Sequence, residues 1–170
     1  MITHMERFTN FLKRQPLDRI PVYEHFWPDT YKGWLEKGWV QENTDFNRLF
    51  DYDVRECWWP FNHIADLDFQ PVVLEETEET IVTRDGNGAT LRRHKLHDTT
   101  PEHIDFAVKD RRSWEELIRP RLVVIDERRI NFESYRREKE LAAKDGRFFC
   151  WSGLNIFEMM REVCGHEHFL

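Results

Sequence analysis

The pattern of apolar and polar positions at the start of the chain predicts an amphipathic helix over residues 3–14. Apolar side chains recur at helical spacing from Met5 to Leu12. Thr3 and Glu6 have the spacing of a capping box, in which each side chain accepts a hydrogen bond from the other residue's backbone N–H. The helix is expected to end before Pro16.

Short apolar segments bounded by proline or glycine predict three buried strands, over residues 18–28, 53–59 and 147–153. Helical patterns are expected between and after them: residues 29–38, a turn at 46–50, a helix that begins near Asp110 and is ended by Pro120, a surface helix over 126–146 that stops at Gly146, and a final helix over 154–165. Strands separated by helices favour a parallel α/β sheet.

The middle of the chain has a different pattern. Residues 72–95 alternate apolar and polar positions around the sequence DGNG, whose glycines and asparagine tolerate a positive φ. This segment is therefore expected to form a β-hairpin or a three-strand meander, inserted into the parallel α/β arrangement.

Composition narrows the class of protein. The chain has 170 residues, 40% of them hydrophobic, which predicts a single folding unit over residues 1–170. The 25 lysines and arginines are outnumbered by 32 aspartates and glutamates, and a net charge of −7 makes nucleic acid an unexpected partner. Membrane-spanning and signal-peptide patterns are not seen, so a cytoplasmic location is expected. Three cysteines, an odd number, are expected to be reduced thiols.

Candidate chemistry is expected where the predicted parallel strands end, because loops converge on a ligand at that edge of a sheet. The side chains there predict a pocket lined by His25, Trp27, Trp58, His63, Trp151 and Asn155. Aromatic walls with a few polar anchors suit a flat, partly apolar small-molecule ligand. Core packing explains the tryptophans equally well, and the sequence leaves both interpretations open.

His25 is the titratable group of most interest, since an imidazole can act as acid, base or metal ligand near neutral pH. A histidine hydrogen-bonded within the core is the alternative. Glu24 precedes it, and on a strand the two side chains would face opposite ways. Cys57 and Cys150 fall inside predicted strands and are expected to be inert.

The segment CGHEHFL, residues 164–170, raises the question of a metal site. Cys164, His166 and His168 would share one face only if the segment were extended, whereas Gly165 has the position of a helix stop. A zinc site also needs a rigid frame with three or four ligands. No metal site is therefore predicted in this chain.

Several segments resemble the uroporphyrinogen decarboxylase superfamily. The first is MERFTNFLKRQPLDRIPVYEHFW at residues 5–27, in which the run from residue 7 to residue 22 is the most specific. Later segments around residues 45–60, 100–122 and 146–170 support it by their order. The resemblance covers essentially the whole chain and corresponds to the amino-terminal half of the family's length. It implies part of a (β/α)8 TIM barrel, carrying the meander as an excursion, with a ligand site at the carboxyl ends of the strands.

The resemblance also bears on activity. True decarboxylases carry an arginine-containing motif after the first strand, whereas residues 24–30, EHFWPDT, contain no arginine to hold a polyanionic tetrapyrrole. The better analogue is the branch of zinc-dependent methyltransferases that serve corrinoid proteins. The family's zinc ligands lie in its carboxyl-terminal half, so the resemblance carries no ligand to this chain, and zinc and a corrinoid protein are expected only for a complete family member.

Three functional hypotheses follow. The first is a methyltransferase-like half-barrel, inactive until the remaining barrel half completes it. The second is a non-enzymatic binding or assembly module that covers its open sheet edge by self-association. The third, decarboxylase activity, is supported by the family resemblance alone.

Overall fold

The computed structural model describes residues 2–153 and 155–169, so Met1, Leu154 and Leu170 lie outside the described residues. The described chain divides into two compact units. Residues 2–60 and 131–153 form the first unit, and residues 61–130 and 155–169 form the second. The single folding unit expected from the sequence stays a prediction.

The first unit pairs two parallel strands with helices. Its elements are α1 (His4–Leu12), α2 (Pro28–Glu36), α3 (Phe46–Leu49), β1 (Val54–Trp58), α6 (Phe132–Asp145) and β6 (Phe148–Ser152). The predicted capping box is present, because Thr3 Oγ1 accepts from the Glu6 N–H at 3.2 Å and Glu6 Oε2 accepts from the Thr3 N–H at 2.9 Å. The predicted stop of α6 is also confirmed, since Gly146 has a φ of 63°.

Strands β1 and β6 are the second and third predicted strands, and they pair in parallel from Val54 opposite Phe148 to Trp58 opposite Ser152. One face of the pair lies against α6, where the Phe149 and Tyr135 rings are 5.2 Å apart. On the other face Phe148 stacks on Phe8 of α1 at 4.2 Å. Because side chains alternate along a strand, Glu56, Cys150 and Ser152 share the face of Phe148.

The strand predicted over residues 18–28 is wrong. Residues 17–27 contain no regular strand, and a proline at position 21 removes a donor that a central strand would need. The segment makes one backbone–backbone hydrogen bond beside β1, where the N–H of Asp53, the residue before the strand, donates to the Val22 carbonyl at 2.9 Å. Pro28 then begins α2 with Trp27 as its N-cap, one residue before the start expected from the sequence at residue 29.

The second unit is built around an antiparallel meander. Its elements are β2 (Val72–Glu76), β3 (Thr80–Arg84), β4 (Ala89–His94), β5 (Glu102–Phe106), α4 (Arg111–Ser113), a π-helical turn (Trp114–Ile118), α5 (Arg119–Leu122), a 3₁₀ turn (Glu127–Arg129) and α7 (Ile156–Phe169). The strand order is β2-β3-β4-β5, one strand more than the meander expected from the sequence.

The DGNG turn between β3 and β4 is stabilised by hydrogen bonds to the side chain of its own aspartate. The Asp85 carboxylate accepts from the backbone N–H groups of Asn87 and Ala89, both at 2.9 Å. Gly88 has a φ of 75°, and a Cβ there would lie 2.6 Å from the Ala107 Cβ. Behind the sheet, a buried apolar cluster joins Val108 of the β5–α4 connection to Val163 of α7.

Pro120 does not end the helix that begins after Asp110, contrary to the sequence-based expectation. Residues 114–118 widen into a π-helical turn, and the Arg119 N–H donates to the Trp114 carbonyl five residues back. Pro120 then falls in the first turn of α5. Backbone N–H groups in the first turn of a helix have no intrahelical acceptor, so proline, which lacks an N–H, costs no hydrogen bond there.

The architecture is mixed α/β, with a parallel two-stranded sheet and an antiparallel four-stranded sheet. The described residues do not form a closed barrel. Within them, every helix is too short or too polar to cross a bilayer.

Candidate functional site

A cleft of about 390 Å³ opens in the first unit at the carboxyl end of β1. It is lined by Tyr23, Glu24, His25, Phe26, Pro28, Tyr31, Phe46, Asn47, Tyr52, Glu56 and Trp58. Most of these side chains come from the irregular segment that precedes α2 and from the start of α3. The cleft therefore lies where parallel-sheet proteins bind ligands, at the strand ends.

Two of the predicted pocket residues, His25 and Trp58, meet in this cleft. Their rings stack with centroids 4.7 Å apart and an interplanar angle of 27°. The two side chains are more than half exposed, at 57% for the His25 side chain and 53% for Trp58. A flat aromatic surface is therefore available to a ligand at the mouth of the cleft.

Glu24 also lines the cleft, which corrects the expectation that Glu24 and His25 face opposite ways. That expectation assumed a strand, and residues 23–27 do not form one. The Glu24 carboxylate accepts from the His25 backbone N–H at 2.9 Å and lies 3.8 Å from the ring Nδ1. Irregular backbone has thus placed two adjacent polar side chains beside the same cavity.

Two residues that line the cleft each carry a buried oxygen atom without a hydrogen-bond partner among the described residues. These atoms are Glu56 Oε2 and Asn47 Oδ1. Buried acceptors of this kind cost free energy unless a donor or a positive charge compensates them. Within the described residues, no lysine or arginine lines the cleft to do so.

The charge of Glu56 affects the pKa of a cysteine on the neighbouring strand β6. Cys150 of β6 is its register partner, and burial together with the Glu56 carboxylate raises the pKa of the Cys150 thiol to about 11. At neutral pH this thiol is therefore protonated and a poor nucleophile, in line with the prediction that it is inert. Across the cleft, burial and the charge of Glu24 raise the pKa of Tyr52.

The remaining tryptophans of the predicted pocket do not line this cleft. Trp27 is the N-cap of α2 and is 57% exposed. Trp151 of β6 is 59% exposed, and by strand alternation it shares the face of Phe149 instead of the face that carries Glu56.

His63 and Asn155 belong to the second unit, where each has a local partner. His63 Nε2 lies 2.6 Å from Glu162 Oε2 of α7, and Asn155 Oδ1 accepts from the Glu158 N–H at 3.0 Å to cap that helix. Capping alone explains an asparagine at position 155. The inclusion of these two residues in a ligand pocket stays a prediction.

The segment that carries Tyr23 to Trp27 is anchored by a buried charge cluster that the sequence analysis missed. Asp53, at the start of β1, is fully buried and receives hydrogen bonds from Arg7 Nη1 at 2.6 Å and from the Val22 N–H at 2.8 Å. His4 Nδ1 lies 2.9 Å from the same carboxylate, and Arg19 also donates to it. The available signal was the Asp-Arg pair at residues 18–19, inside the segment that carried the family resemblance.

The cluster keeps Asp53 ionised. Burial raises the pKa of Asp53, but hydrogen bonds from His4, the Val22 N–H, Arg19 and Arg7 together outweigh it, and the pKa falls to about 2. Arg7 also holds Asp18 through two contacts of 2.7 Å, which lower the pKa of that carboxyl. The charges are thus paired with one another and position the backbone beside the cleft.

The segment over residues 164–169 contains a break in the helix at Gly165. Gly165 interrupts α7 with a φ of 69° and a ψ of 172°, and the buried Cys164 Sγ donates to the Met160 carbonyl. His166 and His168 are exposed. Among the residues that the structure describes, no three His, Cys, Asp or Glu side chains are grouped to hold a metal ion.

A second cavity, of about 610 Å³, lies in the second unit between β5 and α7. Its lining includes His103, Phe106, Arg161 and Gly165. Burial and the nearby Arg161 guanidinium lower the pKa of His103. Acidic and basic side chains are mixed around this cavity, so it shows no preference for one sign of ligand charge.

Comparison of the chain with protein-family models, with curated proteins and with solved structures found no match. The resemblance to the uroporphyrinogen decarboxylase superfamily therefore stays a prediction.

Proposed function

We propose that the first unit supplies the ligand-binding mouth of a barrel of the uroporphyrinogen decarboxylase type, related to corrinoid-linked methyltransferases. The ligand is flat, partly apolar and small, and it lies in the cleft beside His25 and Trp58. The observation that carries the proposal is the position of this aromatic cleft at the carboxyl end of a strand that pairs in parallel with its neighbour.

The proposal includes no catalytic step by this chain alone. The cleft contains an imidazole and two carboxylates, but the described residues offer no donor set that fits zinc, so no chemistry is assigned to that metal. Catalysis would require strands from another segment or polypeptide to complete the site. A tetrapyrrole substrate is a poor fit, because its carboxylates need arginine or lysine partners that the described cleft lining lacks.

Binding of a neutral flat probe tests the proposal. Benzyl alcohol is titrated into the ¹⁵N-labelled chain, and amide and indole signals are followed by NMR. We expect shifts concentrated in residues 23–31 and 46–58, with affinity lowered about 3- to 10-fold by Trp58→Leu because a stacking surface is lost. The control is Trp39→Leu, which removes a tryptophan that is 65% exposed and lies outside the cleft lining. Shifts spread evenly over the chain would contradict a ligand site here.

Self-association is a second candidate function, and the open edge of β6 favours it. Among the described residues, β6 pairs with one strand, β1. No strand of the described chain pairs with the opposite edge of β6. Trp151 of that strand is 59% exposed. An apolar parallel edge is a template for pairing with another chain, including a second copy.

A further inference from the structure

The cleft beside Trp58 combines aromatic faces with two carboxylates, and one of them, Glu56, has a buried oxygen atom without a hydrogen-bond partner among the described residues. Glu24 and Glu56 bring two carboxylates to a cavity whose other walls are mainly aromatic, and the described lining contains no lysine or arginine. Aromatic rings present a negative face, so the walls and the carboxylates favour the same sign of ligand charge.

The aromatic side chains that line the cavity fall into two groups of rings in contact. In the first, Phe26 and Phe46 meet edge to face with centroids 5.5 Å apart, and Tyr31 meets Phe46 in the same way at 5.6 Å. The second group, on the strand side, is the stacked imidazole and indole of His25 and Trp58. A ligand in the cavity would therefore contact ring faces and edges on several sides.

The burial of Glu56 adds an electrostatic reason for a cationic ligand. Its Oε2 atom is buried without a hydrogen-bond partner among the described residues, and its charge contributes to the raised pKa of Cys150. In a partly desolvated site a carboxylate interacts strongly with an opposite charge a few ångströms away. Asn47 Oδ1 is also buried and has no hydrogen-bond partner within the described chain. This oxygen is the negative end of the amide dipole, and Asn47 lines the same cavity.

We propose that this cleft binds a small organic cation with a methylated ammonium head, held by the Trp58 ring and by the charge of Glu56. A methylated ammonium has little need of directional hydrogen bonds, so it suits a cavity that offers ring faces and a buried charge. The cavity, of about 390 Å³, is within the usual size range of small-molecule sites. This inference rests on the proposed function for the position of the ligand site, and it gives the chemical class of the group that binds beside Trp58.

The test compares two probes of the same shape on the full chain. Choline carries a trimethylammonium group, and 3,3-dimethyl-1-butanol replaces that group with a neutral tert-butyl group. Isothermal titration calorimetry at low ionic strength is expected to show choline binding at least about tenfold more tightly, since the neutral probe gains neither the cation–π nor the charge interaction.

Two variants locate the binding. Glu56→Gln keeps the shape of the side chain and removes its charge, and it is expected to weaken choline binding about tenfold while leaving the neutral probe unaffected. Trp58→Leu is expected to weaken choline binding roughly 3- to 30-fold. The matched control is Glu140→Gln, which removes the same charge from the exposed surface of α6. NMR spectra of each variant establish that it is folded.

The outcomes separate this inference from the proposed function. Equal affinity for the two probes overturns the cation specificity and leaves a ligand-binding cleft. The inference is also overturned if neither Glu56→Gln nor Trp58→Leu changes the affinity for choline, because choline would then bind elsewhere. If neither choline nor benzyl alcohol binds, the inference and the proposed function fail together. The probe pair needs no variant, so the test holds even if a variant fails to fold.

Discussion

Asp53 is a carboxylate with no exposed surface, surrounded by three basic side chains and a backbone N–H. Arg7, Arg19 and His4 come from two different stretches of sequence, and the acceptor that joins them is the residue immediately before β1. A buried charge is tolerated only when it is paired and hydrogen-bonded. The cluster therefore ties α1 and the segment before α2 to the start of β1.

Replacing Asp53 by asparagine is expected to lower the free energy of unfolding by about 3–5 kcal/mol, because the arginines lose the charge that compensates them in a buried place. Urea denaturation followed by circular dichroism measures the change. The exposed Glu140→Gln, with the same change in net charge, should stay within about 0.5 kcal/mol of the unaltered chain. A small loss in Asp53→Asn would show that the cluster is solvated in solution.

The same variant has a predicted pH dependence. The folded pKa of Asp53, about 2, lies below the unfolded value of about 3.9, so its ionised form stabilises the fold above that unfolded pKa. This contribution is lost as the pH falls from about 5 towards 2. The stability difference between the unaltered chain and Asp53→Asn should therefore shrink over this range, whereas a constant difference would assign the effect to shape alone.

Single residues also show the limits of prediction from sequence. Trp58 closes β1 as the sequence predicted, whereas His25 was expected at the end of a strand that does not form. The structure nevertheless stacks the two rings. Asp53 and Glu56 gave no signal, since alternation along a strand indicates a face but not which long-range partner covers it. The partners of Asp53 are 31 to 49 residues away in sequence, beyond any local pattern.

At the scale of elements, α7 contains a break whose geometry only glycine accepts. Gly165 has a φ of 69° and a ψ of 172°, a region that residues with a Cβ almost never occupy. A Cβ at this position would lie 2.5 Å from Cε2 of Phe106 on β5. The break therefore also allows close packing between α7 and the meander.

Gly165→Ala is expected to lower the free energy of unfolding by about 2–4 kcal/mol, through backbone strain and the clash with Phe106. The matched control is Gly33→Ala in α2, where a Cβ would meet nothing within 4 Å. That control should raise stability by about 0.5–1 kcal/mol, because alanine is the better helix former. Thermal denaturation of both variants measures the difference, and equal effects would contradict the assigned geometry.

Elements with strong local signals were predicted well. The capping box of α1, the Gly146 stop of α6 and the turn at DGNG each depend on residues within a few positions of one another. The predicted strand over residues 18–28 failed because its apolar composition resembles that of a strand, whereas Val22 hydrogen-bonds to Asp53 alone and no ladder with β1 follows. The helix end predicted at Pro120 was also wrong. A π-helical turn before the proline lets the helix continue past it.

At the scale of the whole molecule, the open edge of β6 predicts association between copies of the chain. Trp151→Glu places a charge on this strand and is expected to shift the chain towards monomer, since charged side chains discourage edge pairing. Sedimentation velocity over a range of concentrations measures the association. Trp39→Glu is the control, because Trp39 is similarly exposed, at 65%, and lies outside the strands. Equal association of both variants would exclude β6 as the contact.

The sequence by itself determined the type and approximate position of most elements, because helix caps, turn residues and apolar periodicity act over a few residues. It also determined the acidic balance of the chain and the position of Trp58 at the end of β1. Only the tertiary structure decided that β1 and β6 pair with each other, that Glu24 joins His25 and Glu56 at one cleft, and that Asp53 draws His4, Arg7 and Arg19 together. Those outcomes depend on which residues, far apart in the sequence, pair with a buried charge or with the edge of a strand. The local pattern of apolar and polar residues does not contain that information.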